Sequence, residues 1–147
     1  MLKQLAVGLV ILFLDQFSKL YISTNFVEGE SIPLIKSVIY LTYVNNPGAA
    51  FGLFAYKRWL LILVGVGALV ATWIFRHQIA KQSKLTRWGI TLAISGAFGN
   101  LIDRLRLGKV IDFIDLRFWP IFNIADIAIV CGIALLFWEV LRDGRKA

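Results

Sequence analysis

Cysteine and histidine are nearly missing from this chain. Cys131 is the only cysteine and His77 the only histidine among 147 residues. One thiol excludes an intrachain disulfide and dithiol redox chemistry. One imidazole, with no His-Glu-x-x-His, argues against a His-ligated zinc or iron site, so no metal or other cofactor is expected. Charge is scarce as well: 17% of residues are charged and 59% hydrophobic, whereas soluble chains carry about a quarter charged residues. With a mean hydropathy of +0.74, the composition is that of a polytopic membrane protein. Acids are the rarer sign, 9 against 16 Lys and Arg, for a net charge of +7. The basic residues fall in short segments between apolar runs, the pattern of a chain oriented by its loops, so the expected surface is a lipid bilayer and not nucleic acid. Trp59, Trp73, Trp88, Trp119 and Trp138 lie at or near the ends of those runs, as in interfacial aromatic belts.

What is present is a set of four membrane-length segments, about 5–21, 59–75, 88–102 and 122–138. The third is short, and its Gly89, Ala93 and Ala97 form a small-residue stripe that lets helices approach closely. The first has Asp15, Gln16 and Lys19 after its apolar core and no small-residue cleavage site, so it reads as an anchor, not a removable leader. Arg76, Lys81, Lys84 and Arg87 crowd the link between the second and third segments. Lys3 and the group Arg142, Arg145 and Lys146 mark the termini. These regions are expected on the cytoplasmic side, and the acid-rich connections on the other.

The expected fold is therefore an all-α membrane protein of one domain, 1–147, with four transmembrane helices and both termini cytoplasmic. An insert at about 23–57 is expected to form a small extracytoplasmic β-sheet and an interfacial helix between the first two spans. Within it, Ser37-Val-Ile-Tyr-Leu-Thr-Tyr-Val reads as strand, Asn45-Asn-Pro-Gly as a turn, and Ala49-Ala-Phe-Gly-Leu-Phe as a short surface helix.

Three aspartates carry the chemical signal. Asp126 is the only ionisable group besides Cys131 in the apolar run 118–138, and a carboxylate at membrane depth needs a partner or a task. It also has a structural explanation: with Asn123 as N-cap, Asp126 is the third helical residue and can bond back to the cap. Asp112 and Asp115, in Val110-Ile-Asp-Phe-Ile-Asp, face opposite ways if the segment is a strand, so only one of them meets Asp126. The spacing does not choose between them, and a loop acid paired with Lys109 or Arg117 explains either. Asp15 with Lys19 reads as an i,i+4 ion pair at the interface, and Asp103-Arg104 as the water boundary of the third helix. Asn100, an amide within an apolar helix, wants a partner and is expected to orient something. Two carboxylates brought together out of water hold one shared proton. Such a pair hydrolyses an acyl bond without metal, serine nucleophile or cofactor.

These residues resemble the motifs of the bacterial lipoprotein signal peptidases (signal peptidase II), an aspartic peptidase family. Asp15-Gln-Phe-Ser-Lys19, Asn46-Pro-Gly-Ala-Ala-Phe51, Gly96-Ala-Phe-Gly-Asn-Leu-Ile-Asp-Arg104, Val110-Ile-Asp-Phe113 and Phe122-Asn-Ile-Ala-Asp126 follow one another in the family's order over essentially the whole chain. The resemblance implies a catalytic dyad of Asp112 and Asp126. It also implies Asp15, Asn46, Gly96, Asn100, Arg104 and Asn123 as supporting or substrate-binding residues. It implies a diacylglyceryl-prolipoprotein as substrate, cut before its lipid-bearing cysteine, and the bacterial inner membrane as location. Phe51 and Phe54 would shape a lipid-facing wall. A monomer is consistent with these residues, which set no oligomeric state. A proton-coupled transporter with Asp15 and Asp126 as relays would instead show internal two-fold similarity and a mid-membrane acid. A scaffold would use the acids as caps alone.

Overall fold

The computed structural model describes residues 2–48, 53–54 and 56–143. In chain order the elements are α1 (Leu2–Asn25), β1 (Ser31–Ile35), β2 (Ile39–Asn46), α2 (Arg58–Ile74), α3 (Arg76–Ala80), α4 (Lys84–Arg106), β3 (Val110–Asp115) and α5 (Ile124–Asp143). Each of the four apolar segments is thus helical. The third segment lies in α4, which runs from Lys84 to Arg106, well past the short 88–102 expected. Two helices, Leu2–Asn25 and Ile124–Arg142, are long and apolar enough to cross a membrane by length and composition.

The small sheet exists but is not made from the first insert alone. Its order is β1-β2-β3, antiparallel throughout, and β3 comes from the connection between α4 and α5. The strand expected over residues 37–44 is found two residues further on as β2, Ile39–Asn46, and the hairpin turn that joins it to β1 falls near Ser37, a residue held at φ 63. Of the surface helix expected at Ala49–Phe54, residues 49–52 lie outside the described residues, and Leu53 and Phe54 are in a turn. Arg145 and Lys146 also lie outside them.

Helix α1 is built inside out. Its buried residues are Asp15, Lys19 and Ile22, while Phe13 and Phe17 are 64% and 58% exposed. In water that arrangement is costly twice over. In hydrocarbon it is the favourable one, because polar groups shelter inside and apolar ones face the solvent.

Helices α4 and α5 approach closely through small residues. A Cβ on Gly132 would lie 2.5 Å from the Ala93 nitrogen and 2.6 Å from the Gly89 carbonyl. One turn further along α4, a Cβ on Gly96 would collide with the Ala125 carbonyl oxygen and come within 2.9 Å of Ile129. Gly89, Ala93 and Gly96 keep the 3.6-residue period and form the contact stripe. Where α1 meets the sheet, Ile22, Ile111 and Phe113 make a compact apolar cluster.

Candidate active site

Two local features bring the acids together. The first is a fold-back after β3. The Ile114 amide donates to the Phe122 carbonyl at 2.8 Å, and the Phe122 amide donates to the Ile114 carbonyl at 3.1 Å. That bridge sets Asn123 beside Asp112. The second is the cap of α5, formed as the sequence suggests. The Asp126 amide donates to Asn123 Oδ1 at 2.9 Å, and the Asn123 amide donates to Asp126 Oδ2 at 3.2 Å. This reciprocal pair is a capping box that holds the Asp126 carboxylate at the positive end of the helix.

Asp112 is buried, 3% exposed, and held by amides. Asn46 Nδ2 donates to its Oδ2 at 2.8 Å and Asn123 Nδ2 to its Oδ1 at 2.7 Å. The register explains the first bond: Asn46 pairs with Val110, so Asp112 is its diagonal neighbour on the same face. Asn123 Nδ2 also reaches Asn100 Oδ1 at 3.1 Å. Asn100 Nδ2 in turn donates to Asp126 Oδ1 at 2.8 Å. Asp112 and Asp126 therefore sit at two ends of one amide network, and both line a cleft of about 510 Å³. Phe118, Trp119, Ile127 and Val130 supply much of its apolar wall. Burial pushes the Asp112 carboxyl up to about 7, and the neighbouring Asp126 charge pushes the same way. The bonds from Asn46 and Asn123 and the Lys19 ammonium pull it down.

Arg104 lines the same cleft. Its Nη2 donates to the Gly48 carbonyl at 2.8 Å and its Nη1 to the Asn100 carbonyl at 3.4 Å. The guanidinium ties the end of the β2 turn to α4, and among the described residues it forms no ion pair with either aspartate. Gly48 closes that turn, its amide donating to Asn46 Oδ1 at 2.9 Å, an Asx turn at the expected Asn-Pro-Gly.

Behind the amides lies a charged layer that sequence reasoning underrated. Lys19 Nζ contacts Asp15 Oδ2 at 2.9 Å, Asp103 Oδ2 at 2.8 Å and Asn100 Oδ1 at 2.9 Å. An ammonium has three donors, and all three are used. By holding the Asn100 oxygen, Lys19 leaves the Asn100 NH₂ directed at Asp126. Asp15 also accepts from the Ala125 amide at 3.0 Å, satisfying a free N–H in the first turn of α5. The ion pair expected between Asp15 and Lys19 is present, with both side chains buried inside the protein, 0% and 2% exposed. Asp103 is 3% exposed and turns to Lys19 inside the protein, not to water. Gln16 completes the layer, donating to Asp15 at 3.1 Å and Asp103 at 3.1 Å. The spacing of Gly96, Asn100 and Asp103 on one helix face was the available signal.

Asp115 points elsewhere. It accepts from Thr42 Oγ1 at 2.8 Å and the Arg117 amide at 2.7 Å, with the Arg117 guanidinium 3.5 Å away. The pairing with Arg117 matches the plain reading of this acid, but the carboxylate is 4% exposed and not solvated.

The family described as Signal peptidase (SPase) II matches residues 7–142 of this chain. A lipoprotein signal peptidase of Moorella thermoacetica is 50% identical over 97% of this chain and 97% of that one. One of Pelotomaculum thermopropionicum is 44% identical over 94% and 91%. A solved bacterial membrane enzyme superposes with a TM-score of 0.93 at 30% identity, covering 98% of this chain and 90% of that one. A second superposes with a TM-score of 0.88 at 31% identity, covering 97% and 95%.

Proposed function

This chain belongs to the signal peptidase II family, and from that premise we propose that it is a membrane aspartic endopeptidase acting on prolipoproteins. It removes the signal peptide by cutting before a diacylglyceryl-modified cysteine, with Asp112 and Asp126 as the dyad. The observation that carries this reading is the amide network: a buried Asp112 and a half-buried Asp126 in one cleft, held by Asn46, Asn100 and Asn123, with no ion-paired cation among the described residues. Held this way, the pair keeps one proton near neutral pH.

The ionised member takes a proton from a water molecule as the water oxygen bonds to the scissile carbonyl carbon. The protonated member donates to the carbonyl oxygen. Collapse of the tetrahedral adduct breaks the C–N bond, and the amine nitrogen leaves with a proton returned by the dyad. Asn46, Asn100 and Asn123 orient the two carboxyls, Arg104 fixes the loop beside them, Asp15 anchors the start of α5, and Gly96 lets α5 lie against α4.

In this reading α1, α2, α4 and α5 are four spans of one domain, with both termini in the cytoplasm and the sheet outside the inner membrane. The inverted burial of α1 supports a span, and the basic residues between α2 and α4 support that orientation. The apolar wall of the cleft suits the acyl chains of the substrate, and those chains hold the cleavage site at the interface. The test is incubation of the purified protein with a lipid-modified precursor and its unmodified counterpart. Cleavage of the first alone is expected; equal cleavage of both refutes the lipid requirement, and cleavage of neither refutes the peptidase.

A further inference from the structure

A second cleft, of about 440 Å³, opens between α1, α2, α3 and α4, and its lining residues include neither Asp112 nor Asp126. Its volume is that of an ordinary ligand pocket. Leu5, Leu9, Leu69 and Ile94 make up much of its wall. The hydroxyls that line it are turned away from it. Thr72 donates to the Ala68 carbonyl at 2.8 Å, Thr91 to the Arg87 carbonyl at 2.8 Å and Ser95 to the Thr91 carbonyl at 2.7 Å. Each bonds its own helix four residues back, so the cleft offers methyl and methylene surface but few polar partners.

One end is different. Arg76 and Arg87 both line it, and neither is ion-paired among the described residues. Arg76 lies over the Trp73 ring at 4.7 Å and spends one donor on the Trp73 carbonyl, at 2.9 Å. Arg87 reaches the Ala80 carbonyl at 3.5 Å, and its Nε is shielded from solvent without an acceptor among the described residues. A guanidinium carries five N–H donors, so most remain open on both. Residues 76–87 contain no acid.

We infer that this cleft binds an anionic phospholipid, its phosphate between Arg76 and Arg87 and an acyl chain along the apolar wall. The inference rests on the reading that α1, α2 and α4 span the membrane. Basic pockets between membrane helices are suited to such headgroups, and the shared charge of the two arginines excludes a cationic or uncompensated occupant. The signal helix of a precursor fits poorly. Its leading segment is positively charged, and a membrane-length helix fills on the order of 2,000 Å³.

The probe is phosphatidylglycerol mixed equally with phosphatidylcholine, presented to the purified protein in detergent and read by native mass spectrometry. The wild-type chain is expected to retain phosphatidylglycerol preferentially, and not glycerol 3-phosphate, which has the headgroup charge without chains. Arg76→Gln with Arg87→Gln is expected to lower that retention by roughly tenfold. Leu69→Trp, which fills the cleft, is expected to lower retention of both lipids, and it tests the site if the arginine variant does not fold. Equal retention of the two lipids by the wild type, undiminished phosphatidylglycerol on a folded arginine variant, or retention unaffected by Leu69→Trp would each overturn the proposal. So would a photoreactive residue at position 69 that crosslinks to the signal helix of a bound precursor. Cleavage of lipid-modified precursor by the same preparations separates the two readings. Lipid retained without cleavage sinks the peptidase alone, and cleavage without selective retention sinks this site alone.

Discussion

The two faces of β3 hold acids of equal burial in opposite ways. On one face Asp115 meets Arg117, a backbone amide and a hydroxyl. On the other, Asp112 meets, among the described residues, only the amides of Asn46 and Asn123. The same contrast recurs one layer down, where Lys19 serves Asp15 and Asp103 while Asp126 is left to Asn100 and its own cap. A cation settles a buried carboxylate in its charged state and makes it structural. Neutral amides fix its direction and leave its proton exchangeable, which is what acid–base work needs.

The sharpest way to break this contrast is at the amide-held acids. Asp126→Asn and Asp112→Asn, each alone, are expected to lower cleavage of a lipid-modified precursor on the order of 10³-fold or more, with the helical content unchanged by circular dichroism. Retained cleavage in either variant removes the dyad.

At the cation-held acids the loss should be of stability first. Lys19→Met strands Asp15 and Asp103 without a counter-charge, which costs roughly 3–5 kcal/mol, read from unfolding in detergent. Adding Asp15→Asn and Asp103→Asn removes the stranded charges and should restore most of that loss. Cleavage should not return in step, because Asn100 still lacks the ammonium that orients it. Recovery of stability and cleavage together would make Lys19 a structural residue only.

Titration sharpens the comparison. The folded chain holds the Asp112 proton up to about 7, whereas an unfolded aspartate releases it near about 4. Between those values the native state binds more protons than the unfolded one, so this group's contribution to stability falls as pH rises through the window. Asp112→Asn has no such term. The melting temperature of the variant minus that of the wild type should therefore climb by roughly 3 °C or more from pH 4 to pH 7. Wild-type cleavage should decline above about pH 7, as the proton is lost. A flat difference across the window would show that Asp112 is not held protonated.

How much of this was legible depended on range. The Asn123–Asp126 cap was readable because both partners lie within one helical turn. The strand period already put Asp112 and Asp115 on opposite faces. Which face met the cleft was not readable, since it depends on the register of Asn46 against Val110 and on the bridge from Ile114 to Phe122. Asp103 was misread for the same reason: its partner, Lys19, is 84 positions away in a different helix, and only packing joins them. The sheet was expected within one insert, yet its third strand is supplied from the far side of α4.

The smallest expected effect is the most discriminating control. Asp115→Asn makes the same chemical change as Asp112→Asn, three residues along the same strand. Its Oδ1 can still accept the Arg117 amide, and its new NH₂ can donate to the Thr42 hydroxyl, which then turns to Ser31, 2.8 Å away. Only the ion pair with the half-exposed Arg117 is lost, about 1 kcal/mol or less. Cleavage should stay within about threefold of wild type, since nothing in the cleft is touched. If Asp115→Asn silences a folded protein as thoroughly as Asp112→Asn does, then holding by a cation does not mark the structural acids, and the division drawn between the two faces of β3 is wrong.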